Sequence, residues 1–180
     1  MRVITGKARG VQLKTPTGML TRPTSDRVKE ALFSIINFEI PGSKVLDLFG
    51  GTGQLSIEAL SRGAASAVFV DAREDACKLI RENLKRTKLE QWGRVVRSDY
   101  LDYLNQCKER YDIILLDPPY AEVFLENALK RITEIDILQS NGIIVTERPL
   151  GKYLPWEFEG FQRSKDYKYG KTMLTIYRKQ

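Results

Sequence analysis

The chain contains no histidine. Every mechanism that rests on an imidazole base is therefore excluded, including a Ser-His-Asp triad and a His-rich metal centre. Cysteine is nearly as scarce. Cys77 and Cys107 are the only two; they fall in segments that read as helices, lack metal-ligand spacing, and are expected as small hydrophobes in a reducing cytoplasm with no metal. No run approaches the roughly 18 apolar residues of a membrane span. The opening MRVITGKARG has no apolar stretch of signal-peptide length, so neither a membrane partner nor export is expected. Also missing is a lysine after the chain's glycine-rich turn, and Gly170-Lys171-Thr172 has no glycine five residues upstream of Gly170, which argues against a phosphate-loop nucleotidase.

What is present suits one soluble globular domain. The 180 residues are 42% hydrophobic and 29% charged, enough for a real core but not for two full domains. Net charge is +6, unevenly placed: residues 1 to 30 carry +5, residues 31 to 159 carry −4, and residues 160 to 180 carry +5. Basic ends around an acidic middle suit a polyanionic partner such as nucleic acid, although a merely solvated surface gives the same totals.

From Lys44 onward the short apolar runs KVLDLF, AVFVD, VVRSD, YDIILLD and GIIVTE alternate with amphipathic segments. Runs apolar on both sides predict a parallel sheet covered by helices on both faces. Ala76, Leu79, Ile80, Asn83, Leu84 and Thr87 recur at helical spacing, and a helix from Gln54 should stop at Gly63. Upstream, residues 2 to 14 read as a basic hairpin, followed by a loop with Pro16, Gly18 and Pro23. Thr24, Ser25 and Asp26 then offer N-caps for a helix with Val28, Leu32, Ile35 and Ile36 on its apolar face. Arg163 to Tyr167 and Thr172 to Arg178 predict a closing antiparallel hairpin. The expected organisation is a single domain over 1–180, with an extension at 1–43 and a core at 44–180, and no obligate protein partner.

The run from Val45 to Gly53 is a strand entering a glycine-rich turn and then a helix, which lets backbone approach a nucleotide-like ligand closely. Gly51 and Gly53 are followed by Ser56 where a dinucleotide fingerprint needs glycine. Asp71, 18 residues after Gly53, ends the next strand, where a carboxylate can accept from both hydroxyls of a ribose. Asp47 and Asp99 end neighbouring strands similarly. Any one of the three could simply cap a helix; together with the glycines they point to a ligand site.

The fourth core strand ends in Asp117-Pro118-Pro119-Tyr120. Two prolines stiffen the turn and remove N–H donors, so its acceptors stay in place. An exocyclic amine on a nucleobase needs two acceptors to orient its N–H bonds. The Asp117 carboxylate and the Pro118 carbonyl can supply them, with Asp117 also stabilising positive charge developing on nitrogen, and Tyr120 can stack on the base. A plain proline-rich loop would explain only the prolines.

The glycine loop followed by D-P-P-Y resembles AdoMet-dependent amino methyltransferases of Rossmann-like fold. More narrowly, residues 46–64 (LDLFGGTGQLSIEALSRGA), 21–33 (TRPTSDRVKEALF) and 169–177 (YGKTMLTIY) resemble the RsmD family of bacterial small-subunit (16S) ribosomal RNA guanine-N2 methyltransferases, essentially over the whole chain. The resemblance implies an α/β class I methyltransferase fold, AdoMet as donor, and ribosomal RNA or an assembling small subunit as partner. The expected cofactor set is Asp47, Phe49, Gly51, Gly53, Asp71, Asp99 and Tyr100, the expected catalytic residues are Asp117, Pro118 and Tyr120, and the charge of the basic N-terminal end points to RNA phosphate contacts from Arg2, Lys7, Arg9, Lys14, Arg22 and Arg27. The residues themselves do not choose the base. A DNA adenine-N6 or protein glutamine methyltransferase, a cofactor-binding module without methyl transfer, and a non-catalytic RNA-binding assembly factor remain the alternatives.

Overall fold

A computed structural model describes residues 1–16, 26–119, 122–151, 154, 157–158 and 160–179. Five core strands, β1 (Lys44–Asp47), β2 (Ser66–Asp71), β3 (Gly93–Arg97), β4 (Tyr111–Leu116) and β5 (Leu138–Pro149), are joined by helices α2 (Gln54–Ser61), α3 (Glu74–Thr87), α4 (Tyr100–Gln106) and α5 (Glu122–Ile135), with α1 (Asp26–Ile35) preceding β1. Three further strands, β6 (Glu157–Phe158), β7 (Phe161–Tyr169) and β8 (Thr172–Lys179), complete one sheet in the order β3-β2-β1-β4-β5-β8-β7-β6. β1 to β5 are parallel, and β8 enters antiparallel between β5 and β7. This is the mostly parallel Rossmann-like sheet with an antiparallel end that the sequence predicts.

The double-sided apolar runs explain the layering. Val45, Ile113 and Ile143 face α1, α2 and α3, whereas Leu46, Ile114 and Ile144 face α4 and α5. Alternation along each strand splits one run between two cores. α2 ends as expected at Gly63, whose φ of +104° lets the Gly63 and Ala64 amides turn back onto the Leu60 and Ala59 carbonyls. Chain order reverses between β1 and β4, so the C-terminal ends of these two strands open the crevice in which such sheets hold ligands.

Some expectations shift. Cys77 is buried in α3, but Cys107 lies just past α4 and is half-buried. Asp99 does not end β3; it stands two residues beyond, as the N-cap of α4. β5 begins before GIIVTE, because Leu138 pairs with Tyr111 ahead of an irregularity that contains Gln139 to Gly142. Thr24 and Ser25 lie outside the described residues.

The predicted N-terminal hairpin is reduced to a single antiparallel bridge, Arg2 with Gln12, supported by amide bonds such as Val3 N–H to Val11 O at 3.0 Å. Gly10 and Leu13 N–H also return to the Val3 and Met1 carbonyls, while several other amides leave the arm for α2. Ile4 and Thr5 N–H donate to the two Glu58 carboxylate oxygens at 2.8 and 3.0 Å, and Ala8 N–H donates to Ser61 Oγ at 2.9 Å. The arm is thus closed on itself by a few backbone bonds and also laid along α2.

Gly6 makes that contact possible. Its φ is +87°, and a Cβ there would stand 1.8 Å from the Ser61 carbonyl oxygen. Gly6→Ala is expected to lift the arm, costing about 1–3 kcal/mol in denaturant unfolding and accelerating tryptic cleavage at Lys7 and Arg9 several-fold; unchanged cleavage would contradict the close packing.

Candidate active site

The glycine loop between β1 and α2 is fixed at each residue. Gly50 N–H donates to the Val70 carbonyl at 2.8 Å, Gly51 N–H to Asp71 Oδ2 at 2.9 Å, and Gly53 N–H to the Gly50 carbonyl at 2.7 Å. The Thr52 carbonyl accepts from Asn83 Nδ2 at 2.9 Å. Gly51 and Gly53 hold φ of +55° and +79°, which favour glycine, and a Cβ on Gly53 would press within 3.3 Å of Ile80. Around Gly51 there is open space apart from the Phe49 carbonyl at 3.8 Å. These bonds hold the loop in place and leave space open at Gly51.

Asp71 has a duty within the protein that the sequence did not show. Besides Gly51 N–H, its Oδ1 accepts Arg73 N–H at 2.9 Å. Each oxygen of a carboxylate has a second lone pair, so acceptor capacity remains for a ligand. Asp99 Oδ1 accepts Leu101 N–H at 2.8 Å, the capping role weighed above, while the residue stays exposed. Tyr100, which follows it, is buried; its ring lies 5.2 Å from Phe49 and edge-on to Phe124 at 5.6 Å. Burial pushes the Tyr100 hydroxyl above its ordinary pKa, against a hydrogen bond with Asn127.

Asp47 is 2% exposed and accepts Ser56 Oγ–H at 3.1 Å. Burial pushes its carboxyl up to about 7; the bonds from Ser56 and Phe49 N–H pull it down, and the charges of Asp117 and Asp71 push it further up. Asp117 belongs to the same neighbourhood. Asp47 registers with Leu115, so Asp117 stands two residues further along the adjacent strand, on the same face by alternation. Asp117 and Pro118 are half-buried at the crevice. Tyr120 and Arg22 lie outside the described residues.

Among the described residues, the basic side chains named by the sequence are spread along the arm and α2. Lys14 N–H and C=O bond to Asn83 at 2.7 and 3.1 Å, beside the glycine loop, whereas Lys7 N–H reaches the Ser61 carbonyl at the far end of α2, about 12 Å away for eight residues. Lys14 Nζ pairs with Glu82 at 2.6 Å, and Lys7 Nζ lies 5.0 Å over the Trp92 ring. Arg2, Arg9 and Arg27 are exposed. At the opposite end of the sheet Lys165, Lys168 and Lys171 are exposed too, while Arg163, Arg178 and Lys179 pair with Asp166, Glu39 and Asp136.

Phe124 escaped the sequence reading, Ser56 entered it only as a departure from the glycine fingerprint, and Asn83 only as part of a stripe. A polar residue at a core position was the available signal for Ser56 and Asn83. Nothing comparable marked Phe124. Among the described residues no group of three or more Cys, Asp or Glu could hold a metal ion, and no helix is long and apolar enough to cross a membrane.

Comparison with known proteins agrees with this geometry. The family model Conserved hypothetical protein 95 matches residues 1–178. YlbH of Bacillus subtilis is 39% identical over 183 residues, covering the whole of both chains. Ribosomal RNA small subunit methyltransferase D of Haemophilus influenzae is 34% identical, covering 86% of this chain and 81% of its own. The solved structure of yhhF from Escherichia coli superposes with a TM-score of 0.90 at 28% identity, covering 100% of this chain and 98% of its own. With its class I methyltransferase sheet and near-complete match, the chain belongs to the Conserved hypothetical protein 95 family, the RsmD family of methyltransferases.

Proposed function

We propose that the protein transfers the methyl group of AdoMet to the exocyclic N2 of a guanine in small-subunit ribosomal RNA. The observation that carries this reading is the meeting, at the switch between β1 and β4, of a fully pinned glycine loop with the Asp117-Pro118 turn. The family's small-subunit RNA methyltransferases support the RNA as acceptor.

The residues fit the donor. Open space at Gly51 admits close approach, Asp71 keeps acceptor capacity for two ribose hydroxyls, and the acidic side chains at the crevice complement a cation. Asp47, Phe49, Gly51, Gly53, Asp71, Asp99 and Tyr100 are the residues that would hold it. When bound, AdoMet supplies an electrophilic methyl group on a sulfonium. The protein's share is positioning and electrostatics, with no nucleophile of its own and no imidazole needed. Asp117 and the Pro118 carbonyl orient the amine so that its lone pair faces the donor, and Asp117 offsets the charge that develops on nitrogen.

The test is transfer of tritium from labelled AdoMet, offered separately with naked small-subunit RNA, assembled small subunits, DNA and total protein, followed by nucleoside mapping. N2-methylguanosine in small-subunit RNA supports the reading. Label in adenine of DNA or in protein glutamine replaces it, and label nowhere refutes it.

Asp117→Ala is expected to bind AdoMet with near wild-type affinity yet turn over about 10²-fold more slowly, as for removal of one preorganised partner of a transition state. Calorimetry with single-turnover kinetics separates the two; wild-type turnover would remove Asp117 from the chemistry.

Asp47 predicts a pH dependence. Its folded-state value, raised to about 7, means the folded protein holds a proton that the unfolded chain has released, so this group lowers stability as pH climbs from about 4 to about 7. A cationic ligand favours the ionised form. AdoMet affinity should therefore rise between pH 6 and pH 8 with proton release on binding, measurable by calorimetry in buffers of different ionisation enthalpy. Asp47→Asn should bind weakly with no such rise; an unchanged pH profile in that variant would show that another group titrates.

A further inference from the structure

Asn83 lies within the apolar face of α3 and is 0% exposed, yet its side chain serves two distant segments. Its Oδ1 accepts Lys14 N–H at 2.7 Å, while Nδ2 donates to the Lys14 carbonyl at 3.1 Å and to the Thr52 carbonyl at 2.9 Å. The amide can face only one way, since a flip would set its donors against the Lys14 N–H and its acceptor against two carbonyls. Both backbone groups of one arm residue and one carbonyl of the glycine loop thus share a single buried amide. A second contact joins the same segments: Thr52 Oγ1 lies 3.6 Å from Met1 Sδ.

Thr52 stands between Gly51 and Gly53, both at positive φ. Glycine has the widest backbone freedom of any residue, so the orientation of the peptides around Thr52 depends on what holds them. Of the loop's ties, those of Gly50 and Gly51 run to β2, while Gly53 N–H stays within the loop and its carbonyl accepts from Ile57 N–H of α2. The Thr52 carbonyl alone is tied to α3, through an amide that also holds the arm.

We infer that Asn83 is a positioning residue that makes the N-terminal arm part of the cofactor site, so that docking of the arm and ordering of the glycine loop are one equilibrium. A ligand that orders the loop strengthens the arm's attachment. By linkage, a polyanion that grips the docked arm tightens the loop's ligand by the same factor. The inference rests on the proposed function for the identity of the two ligands, a donor at the loop and RNA at the arm. Its structural core does not need RNA.

Hydrogen exchange on the full-length protein, with S-adenosylhomocysteine as the probe, tests it. Saturating probe should slow exchange of the Lys14 amide at least about 5-fold, along with the amides of Gly51 and Gly53. Asn83→Ala should raise the probe's dissociation constant about 10-fold, in line with loss of a buried hydrogen bond, and abolish the response at Lys14. A purely structural Asn83 would lower the melting temperature and leave that response in place. Protection confined to the glycine loop in the wild type overturns the inference while leaving the methyltransferase reading intact. No protection anywhere overturns both. Should Asn83→Ala fail to fold, the wild-type exchange at Lys14 decides alone.

Discussion

A fully buried carboxylate, that of Glu58, sets the terms on which the N-terminal third of the molecule is assembled. Removing a carboxylate from water costs several kcal/mol unless donors and cations replace the lost hydration. Here the replacements come from three directions: the Ile4 and Thr5 amides of the arm, Nε of Arg62 at the C-cap of α2 at 2.8 Å, and Lys29 Nζ of α1 at 3.8 Å. Lys29 is itself buried and donates to the Arg2 carbonyl at 2.6 Å. Burial draws its ammonium below the ordinary lysine value, while the charges of Glu58 and Asp26 oppose that shift. Withdrawal of any one segment would take away part of what replaces this carboxylate's hydration, so arm, α1 and α2 form one wall beside the glycine loop.

The core strands were legible because a strand buried on both faces needs no partner's identity to be recognised; Ile113 to Leu116 could hardly sit anywhere but in the middle of a covered sheet. The arm was legible only as β-prone pieces. Its hydrogen bonds run to Glu58, Ser61 and Asn83, more than fifty residues away, and no local period encodes such partners. The segment from Gln139 to Gly142 interrupts the pairing of β5 with β4, but the chain stays extended through it.

At the site, residue types at strand ends gave Asp47, Asp71 and Asp117, because open α/β sheets place ligands there whatever the ligand. The division of labour among them was hidden. Asp71 braces the glycine loop from below, Asp99 caps α4, and Asp47 is buried deeply enough to titrate near neutrality. The Asp99 cap is local, but the roles of Asp71 at Gly51 and of Asp47 depend on neighbours that only the folded chain brings within reach. Composition likewise showed basic ends but not that Lys14 is paired, or that Lys7 lies a helix length from the crevice.

The arm also imposes an order of events on folding. It is synthesised before the sheet, yet its acceptors lie on α2 and α3, and the Lys14–Asn83 bond closes a separation of 69 residues. Closing such a loop costs entropy before any contact repays it. β1, at the centre, must moreover wait for β4 to complete its pairing. The arm, although made before the sheet, is therefore among the last segments to dock, and the glycine loop acquires its tie to α3 only then. A chain with its parallel sheet already formed and its arm still free would be native in outline and unfinished at the cofactor loop.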